Sequence, residues 1–155
     1  MRMRRSFPIW MAAAIAAMAP AAPATASETP APRFYTRPGS VAPFSPAVRA
    51  GDLLFVSGQI GVTADGKVPA TIAEQARLAM ENVRGALALA DAGFDDVVKC
   101  TVILTDMGQW AEFNRVYVGY FKPGHLPARS AMGATGLAFG AHVEVECIAY
   151  KPAAR

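Results

Sequence analysis

The chain has 155 residues, of which 53% are hydrophobic and 17% charged. This length suits one compact domain with its own core, and the apolar content excludes an intrinsically disordered chain. Lysine and arginine number 15 against 12 aspartates and glutamates, which gives a net charge of +3. That charge is unevenly distributed, because the first five residues carry three arginines and no acidic residue.

Residues 1–26 have the three parts of a secretory signal peptide. The start is basic, residues 6–22 are apolar and alanine-rich, and Ala24-Thr25-Ala26 is an A-x-A cleavage site. The apolar stretch is short for a membrane span and is interrupted by proline, so we predict a cleaved leader rather than an anchor. Cleavage after Ala26 would export the protein to the periplasm. The choice between Sec and twin-arginine export stays open.

The mature chain is electrically neutral. The leader holds three of the 15 basic residues and none of the 12 acidic ones, so 12 of each sign remain. Nucleic-acid binding needs clustered lysine and arginine, and binding to a membrane surface needs a basic amphipathic stripe. Neither pattern occurs. We therefore predict no nucleic-acid partner, and no membrane association after the leader is removed.

The first elements of the domain are a predicted arm and a β-hairpin. Residues 27–42 are rich in proline and polar side chains, which is typical of a linker or arm. Residues 43–152 carry the patterns of a single domain. Within them, Ala47–Arg49 and Leu53–Ser57 flank the turn residues Gly51-Asp52, which predicts a hairpin.

Thr71–Ala92 is the clearest predicted helix. Thr71 and Glu74 have the spacing of a capping box, and apolar residues then recur every three or four positions. Gly93 follows, and glycine takes the left-handed conformation that often ends a helix without a steric penalty. We therefore expect the helix to stop at Gly93.

The second half of the domain predicts a strand, a helix and two more strands. The strands are Val97–Leu104, Ala128–Ala134 and Val143–Tyr150, and Asp106 caps a helix over Met107–Phe121. This order predicts an α+β fold, with both helices on one face of a mixed sheet. The strands carry apolar residues at both odd and even positions, so both faces of the sheet are apolar. The face without helices therefore also has to be buried. A homo-oligomer would cover it.

Cys100 and Cys147 fall in two of these strands. An exported protein can form a disulfide, but the strands would have to be adjacent with the two side chains facing each other. We favour two small buried thiols over a disulfide. Only two histidines could join the cysteines, and no metal-binding spacing is present, so we predict no metal site.

Two charged features are candidates for chemistry. Arg129, in the segment PARSAM, enters a predicted strand, where arginine needs a partner. That partner is either an internal carboxylate or the carboxylate of a ligand. Glu144 and Glu146 share one strand face. They either form a solvated face or a salt bridge to a neighbouring strand, or they orient a water and exchange its proton. A serine hydrolase is disfavoured, because G-x-S-x-G is absent.

Several segments together resemble the RidA/YjgF/UK114 family of reactive intermediate, or imine, deaminases. They occur in the family's order and spacing over residues 43–151: GDLLFVSGQIG, ENVRGALALADAGFDDVVKCTVILTDM, FNRVYVGYF, PARSAM and VEVECIAY. The resemblance implies a chorismate-mutase-like fold and a homotrimer with ligand sites between subunits. It also implies hydrolysis of enamines and imines such as 2-aminoacrylate to 2-keto acids and ammonia, with no metal or organic cofactor.

The resemblance also assigns roles to individual residues. Arg129 would clamp the carboxylate of the imine, or of the 2-keto acid. Glu144 would hold the attacking water or move its proton. Ser57 and the backbone of Gly58 would line the pocket, and Asn114 would shape it from the second helix.

Two substrate-binding positions depart from the family pattern. Phe44 stands where the family often has tyrosine, so the ring is kept and the hydroxyl is lost. Ala131 stands where it often has cysteine, so a thiol contact is lost. These changes leave an alternative open, in which the same fold is a non-catalytic module that binds small carboxylates or protects proteins.

Overall fold

The computed structural model describes residues 31–152, and the predicted signal peptide lies outside them. A six-stranded mixed sheet packs against two α-helices, as the sequence predicted for this α+β chain. No helix in this described part is long and apolar enough to cross a membrane. In chain order, the elements are β1 (Arg33–Tyr35), β2 (Ala47–Ala50), β3 (Leu53–Ile60), α1 (Ile72–Ala88), β4 (Val97–Leu104), α2 (Trp110–Tyr117), β5 (Ala128–Gly133) and β6 (Val143–Tyr150).

The strands lie in the order β1-β2-β3-β6-β4-β5. All neighbours are antiparallel except β4 and β5, which are parallel and are connected through α2. The last strand, β6, is therefore inserted between β3 and β4. β1 lies within the segment 27–42 predicted as an arm, and it pairs with β2 as an edge strand. Three residues are too few to show a strand period, so the sequence did not reveal it.

Helix α1 begins as predicted but ends early. The Thr71 hydroxyl accepts a hydrogen bond from the Glu74 amide at 3.3 Å, which satisfies a free N–H of the first turn. The expected stop at Gly93 is wrong. The left-handed residue is Asp91, with φ of 54°, whereas Gly93 is extended. Aspartate tolerates this conformation better than most residues, and Gly93 instead donates to the Asp96 carboxylate at 2.9 Å.

The second predicted helix is helical nearly throughout but changes type. The segments Met107–Gln109 and Val118–Tyr120 are 3₁₀ turns, and only Trp110–Tyr117 is α-helical. Asp106 caps the start as expected, since its carboxylate accepts from the Gly108 amide at 2.8 Å. Phe113 and Tyr117 of α2 are buried in the core, so this helix is held by its aromatic side chains.

Each central strand has one buried and one uncovered face. Val102 and Val145 point towards the helices and are fully buried, whereas Ile103 and Glu144 point away from them. On this uncovered face, Phe55 is 43% exposed. The described chain has no element that covers this face. This agrees with the sequence, in which the strands carry apolar residues on both faces.

Cys100 and Cys147 form a disulfide, so the preference for two free thiols was wrong. The two residues are direct partners in the antiparallel pairing of β4 with β6, and both side chains are buried on the helix face. Their adjacency follows from the insertion of β6 beside β4. Sequence order does not show that insertion, because 47 positions separate the two cysteines.

We expect the double variant Cys100→Ala/Cys147→Ala to lose about 2–4 kcal/mol of unfolding free energy, because the bridge restricts the unfolded chain. Urea denaturation of the variant and the wild type measures the loss. Reduced wild-type protein should fall to the level of the variant. An equal unfolding midpoint for oxidised and reduced wild type would show that the bridge does not stabilise the fold.

Candidate active site

An irregularity in β3 shapes the part of the candidate site that contains Ser57 and Gly58. The pairing of β3 with β6 shifts between Val56 and Gln59, so Ser57 and Gly58 lie in a bulge. Bulges bend a strand and re-aim its side chains. The Ser57 hydroxyl donates to the Ser45 carbonyl at 2.7 Å, which ties the bulge to the loop before β2.

Gly58 gives room to the carboxylate of Glu144. A Cβ atom built at Gly58 would overlap Oε1 of Glu144 and lie 2.8 Å from its Cδ, so no larger residue fits without displacing this side chain. Glu144 is half-buried on the uncovered face of β6. The bulge and the glycine together hold its carboxylate against the backbone of β3.

Burial raises the pKa of Glu144 above its ordinary value, and the negative charge of Glu146 raises it further. The two glutamates share one face of β6, as the sequence predicted. A carboxylate with a raised pKa accepts a proton more readily than an exposed one. Glu144 therefore holds a proton more readily than an ordinary surface glutamate, which suits a group that exchanges protons with a ligand or water.

Phe44 and Ser57 lie on two different cavities near Glu144. Phe44 and Gly58 line a cavity of about 210 Å³ at the end of β3. Ser57 lines another of about 310 Å³ on the uncovered sheet face, together with Lys99. We call Phe44, Ser57, Gly58 and Glu144 the glutamate half-site.

Arg129 lies on β5 and points towards α2. Its Nη1 donates to Oδ1 of Asn114 at 2.8 Å. Its guanidinium carbon lies 4.4 Å from the ring centre of Trp110 and 4.7 Å from that of Tyr117. Two cation–π contacts and one amide thus fix the guanidinium in place. We call Trp110, Asn114, Tyr117 and Arg129 the arginine half-site.

The charge of Arg129 is not neutralised within the described chain. No aspartate or glutamate of residues 31–152 forms an ion pair with it, although four other ion pairs are present there. All its described partners are neutral, so no internal ion pair within residues 31–152 accounts for the arginine of PARSAM. The internal contacts orient the guanidinium, and its remaining donors are available to an anionic ligand.

Tyr117 is the most buried member of the arginine half-site. Burial raises its pKa to about 12, although the nearby Arg129 charge opposes that rise. Its hydroxyl is buried and has no hydrogen-bond partner within residues 31–152. The residue therefore stays neutral, and it contacts Arg129 through a cation–π interaction with its ring.

The predicted site residues form two groups on opposite faces of the sheet. Arg129 is paired in register with Cys100 and contacts α2, so it lies on the helix face. Glu144 is paired with Ile103 on the uncovered face. Ala131, also on exposed β5, lies two positions beyond Arg129 and shares its side of the strand. A single chain does not bring Arg129 and Glu144 together.

Trp110 and Tyr117 were predicted from the sequence only as members of a helix and not as site residues. Their spacing with Asn114 contained the information, because positions i, i+4 and i+7 share one helix face. Two rings flanking an amide on one stripe form a suitable surface for a cation. That the cation is Arg129 became clear only from the structure, in which β5 lies beside α2.

Comparisons with known proteins agree with this architecture. The family described as Endoribonuclease L-PSP matches residues 34–151. The 2-iminobutanoate/2-iminopropanoate deaminase of Mus musculus is 38% identical over 114 residues, which cover 72% of this chain and 84% of the mouse protein. The structure of E. coli TdcF with bound serine has a TM-score of 0.69 at 33% identity and covers 77% of this chain and 98% of that one. The YjgF gene product from E. coli has the same TM-score at 32% identity, with 76% and 98% covered.

The six-stranded mixed sheet and its two helices define the class as YjgF-like α+β proteins. The chain belongs to the RidA/YjgF/L-PSP family, as its sequence motifs indicated. Relatives in this family carry the name of imine deaminases.

We expect Glu146→Gln to lower the pKa of Glu144, because one of the two causes of its elevation is removed and burial remains. Carboxyl NMR titration of Glu144 measures the change. Glu74→Gln, at the start of α1, is the matched control and should leave the titration curve in place. If Glu146→Gln also leaves it in place, the coupling between the two carboxylates is absent.

Proposed function

We propose that the protein is an imine and enamine deaminase that releases 2-keto acids and ammonia at clefts between the subunits of a homotrimer. The observation that carries this proposal is the fixed guanidinium of Arg129, whose charge has no counter-ion among the described residues. The names of two relatives support the choice of substrate. One is a deaminase of 2-imino acids, and another was solved with bound serine, a small amino acid.

Substrate binding depends on the two edges of Arg129. Asn114 and the aromatic rings occupy one edge and the faces of the guanidinium. The remaining N–H groups form a fork that matches the two oxygens of a substrate carboxylate. Because the internal partners are neutral, the ligand carboxylate meets the full positive charge. Fixing the acid end also places the imine carbon, which lowers the barrier to attack by water.

Hydrolysis then requires a positioned water and one proton carrier. Glu144 in its carboxylate form accepts a proton from water as the oxygen bonds to the imine carbon, and the C=N electron pair moves to nitrogen. The same carboxyl then gives that proton to the nitrogen, which completes the carbinolamine. Glu144 next takes the proton of the new hydroxyl group and passes it to the same nitrogen, so the C–N bond breaks, ammonia leaves and the carbonyl forms. An enamine enters this route after it gains a proton on carbon and loses one from nitrogen. No other co-reactant is needed.

The separation of the half-sites supports a ring-shaped assembly. If the arginine half-site of one subunit meets the glutamate half-site of the next, every contact is of the same head-to-tail kind. Such contacts close into a ring when the rotation allows it. The uncovered sheet face, with Phe55 43% exposed, would be buried in the process. A trimer therefore supplies both a complete site and the missing cover.

The two departures from the family pattern affect the walls of the site. Phe44 and Ala131 present a ring and a methyl group, so neither donates a hydrogen bond. The proposed chemistry assigns no step to either residue. They make the cleft more apolar, while binding and proton transfer rest with Arg129 and Glu144.

Export to the periplasm completes the proposal. Two features support export: residues 1–26 have the pattern of a signal peptide, and Cys100 and Cys147 form a buried disulfide. Disulfides form and persist in oxidising compartments and are rare in the cytosol. The protein would then act on imines that arise outside the cytosol.

We expect residues 27–155 to sediment as a trimer at micromolar concentration, and Phe55→Asp to dissociate it because a charge would be buried in the interface. Analytical ultracentrifugation measures the mass. Ala88→Asp, on the exposed surface of α1 and outside both half-sites, is the control and should remain trimeric. A wild-type monomer would remove the inter-subunit site.

We expect Arg129→Ala to lower deamination by about 10- to 100-fold, through loss of a charge-assisted contact. Glu144→Gln should lower it by about 100-fold or more, through loss of the proton carrier. An amino-acid oxidase generates the imine in place, and a semicarbazide trap reports how much remains. Arg77→Ala, on the exposed surface of α1, is the control and should match the wild type.

The two inactive variants should rescue each other when their subunits are mixed. If each site takes Arg129 from one subunit and Glu144 from its neighbour, random equal mixing restores both residues at about a quarter of the sites. An absence of recovery in confirmed mixed trimers would place both residues in one chain. If no variant or wild type removes imines but binding of 2-keto acids depends on Arg129, the protein is the non-catalytic carboxylate-binding module.

A further inference from the structure

The cavity beside the glutamate half-site contains a cation that the proposed reaction does not use. Arg37 lines the same space of about 210 Å³ as Phe44 and Gly58. The residue lies on the loop between β1 and β2. Because this loop also carries Phe44, the position of Arg37 is tied to the wall of the proposed active site.

Arg37 is the only charged residue in the lining of this cavity. No aspartate or glutamate lines it, and the two side-chain amides there already donate to backbone carbonyls. Gln59 donates to Ser57 and Gly58, and Asn82 donates to Ile60. The lining therefore offers one positive charge and no negative one, among apolar and neutral polar side chains, a combination that favours an anionic group.

The guanidinium of Arg37 is placed but not neutralised. A Cβ built at Gly85 of α1 would lie 3.4 Å from its Nη2, so the guanidinium packs against the helix where a side chain is missing. Within residues 31–152 it forms no ion pair and no side-chain hydrogen bond. Arg49, by comparison, is fully engaged with Tyr35 and two backbone carbonyls.

We infer that Arg37 binds a second carboxylate, on the side chain of the substrate, and that the protein prefers imines of acidic amino acids. This inference rests on the proposed function. With the first carboxylate held by Arg129 of a neighbouring subunit and the imine carbon beside Glu144, the substrate side chain extends past Gly58 into the cavity. A side-chain carboxylate would there meet the Arg37 guanidinium in a charge-assisted contact.

The test compares two imines generated in place by amino-acid oxidases, one from glutamate and one from alanine. Arg37→Gln should lower the ratio of kcat/KM for the glutamate imine to kcat/KM for the alanine imine by about tenfold or more. Arg37→Lys, which keeps the charge without the fork, should retain part of the preference. Arg33→Gln, at the far end of β1 and outside the cavity lining, is the matched control and should leave the ratio unchanged.

An unchanged ratio in Arg37→Gln overturns the inference, and so does an equal loss for both imines, because the residue would then act on every substrate. If the wild type hydrolyses neither imine, the proposed function fails and calorimetry decides the specificity. 2-Oxoglutarate should then bind more tightly than 2-oxobutanoate to the wild type, and Arg37→Gln should remove the difference. Equal affinity of the wild type for the two acids overturns the inference.

Discussion

The position of β6 is the constraint on which the rest of this structure depends. This strand pairs with β3 on one side and β4 on the other, so it joins the N-terminal hairpin to the second half of the domain. Its buried face carries Cys147 opposite Cys100, which bonds the centre of the sheet covalently. Its other face carries Glu144 beside the Gly58 bulge. One strand thus determines the core, the bridge and one half of the candidate site.

The second half of the site has a different electrostatic design. Arg129 is oriented by Asn114, Trp110 and Tyr117, all of them neutral. A carboxylate partner would have held the guanidinium as firmly but would have cancelled its charge. Neutral partners restrict its motion and preserve its attraction for an anion. In the proposed function, this arrangement holds the guanidinium in place before the substrate carboxylate binds, which reduces the ordering cost of binding.

The two half-sites differ in solvation as well as in charge. Glu144 has a raised pKa because it is half-buried beside Glu146, whereas Arg129 is held by the neutral side chains of α2. Their placement on opposite sheet faces means that neither can help the other within one chain. Association of identical subunits would unite them and would also cover the apolar sheet face. In this proposal, the same association of subunits buries the apolar sheet face and completes the catalytic site.

Local patterns in the sequence determined most elements of this fold. The Thr71 cap, the apolar runs of β4 and β6 and the Asp106 cap each express a short-range preference that the structure keeps. PARSAM and the alternation at Glu144 drew attention to the two charged residues of the candidate site, and the motifs identified the family. Only tertiary structure decided the disulfide, the aromatic support of Arg129 and the presence of Arg37 in the same cavity as Gly58. Each of these depends on which strands and loops become neighbours, and residues far apart in sequence carry no local record of that pairing.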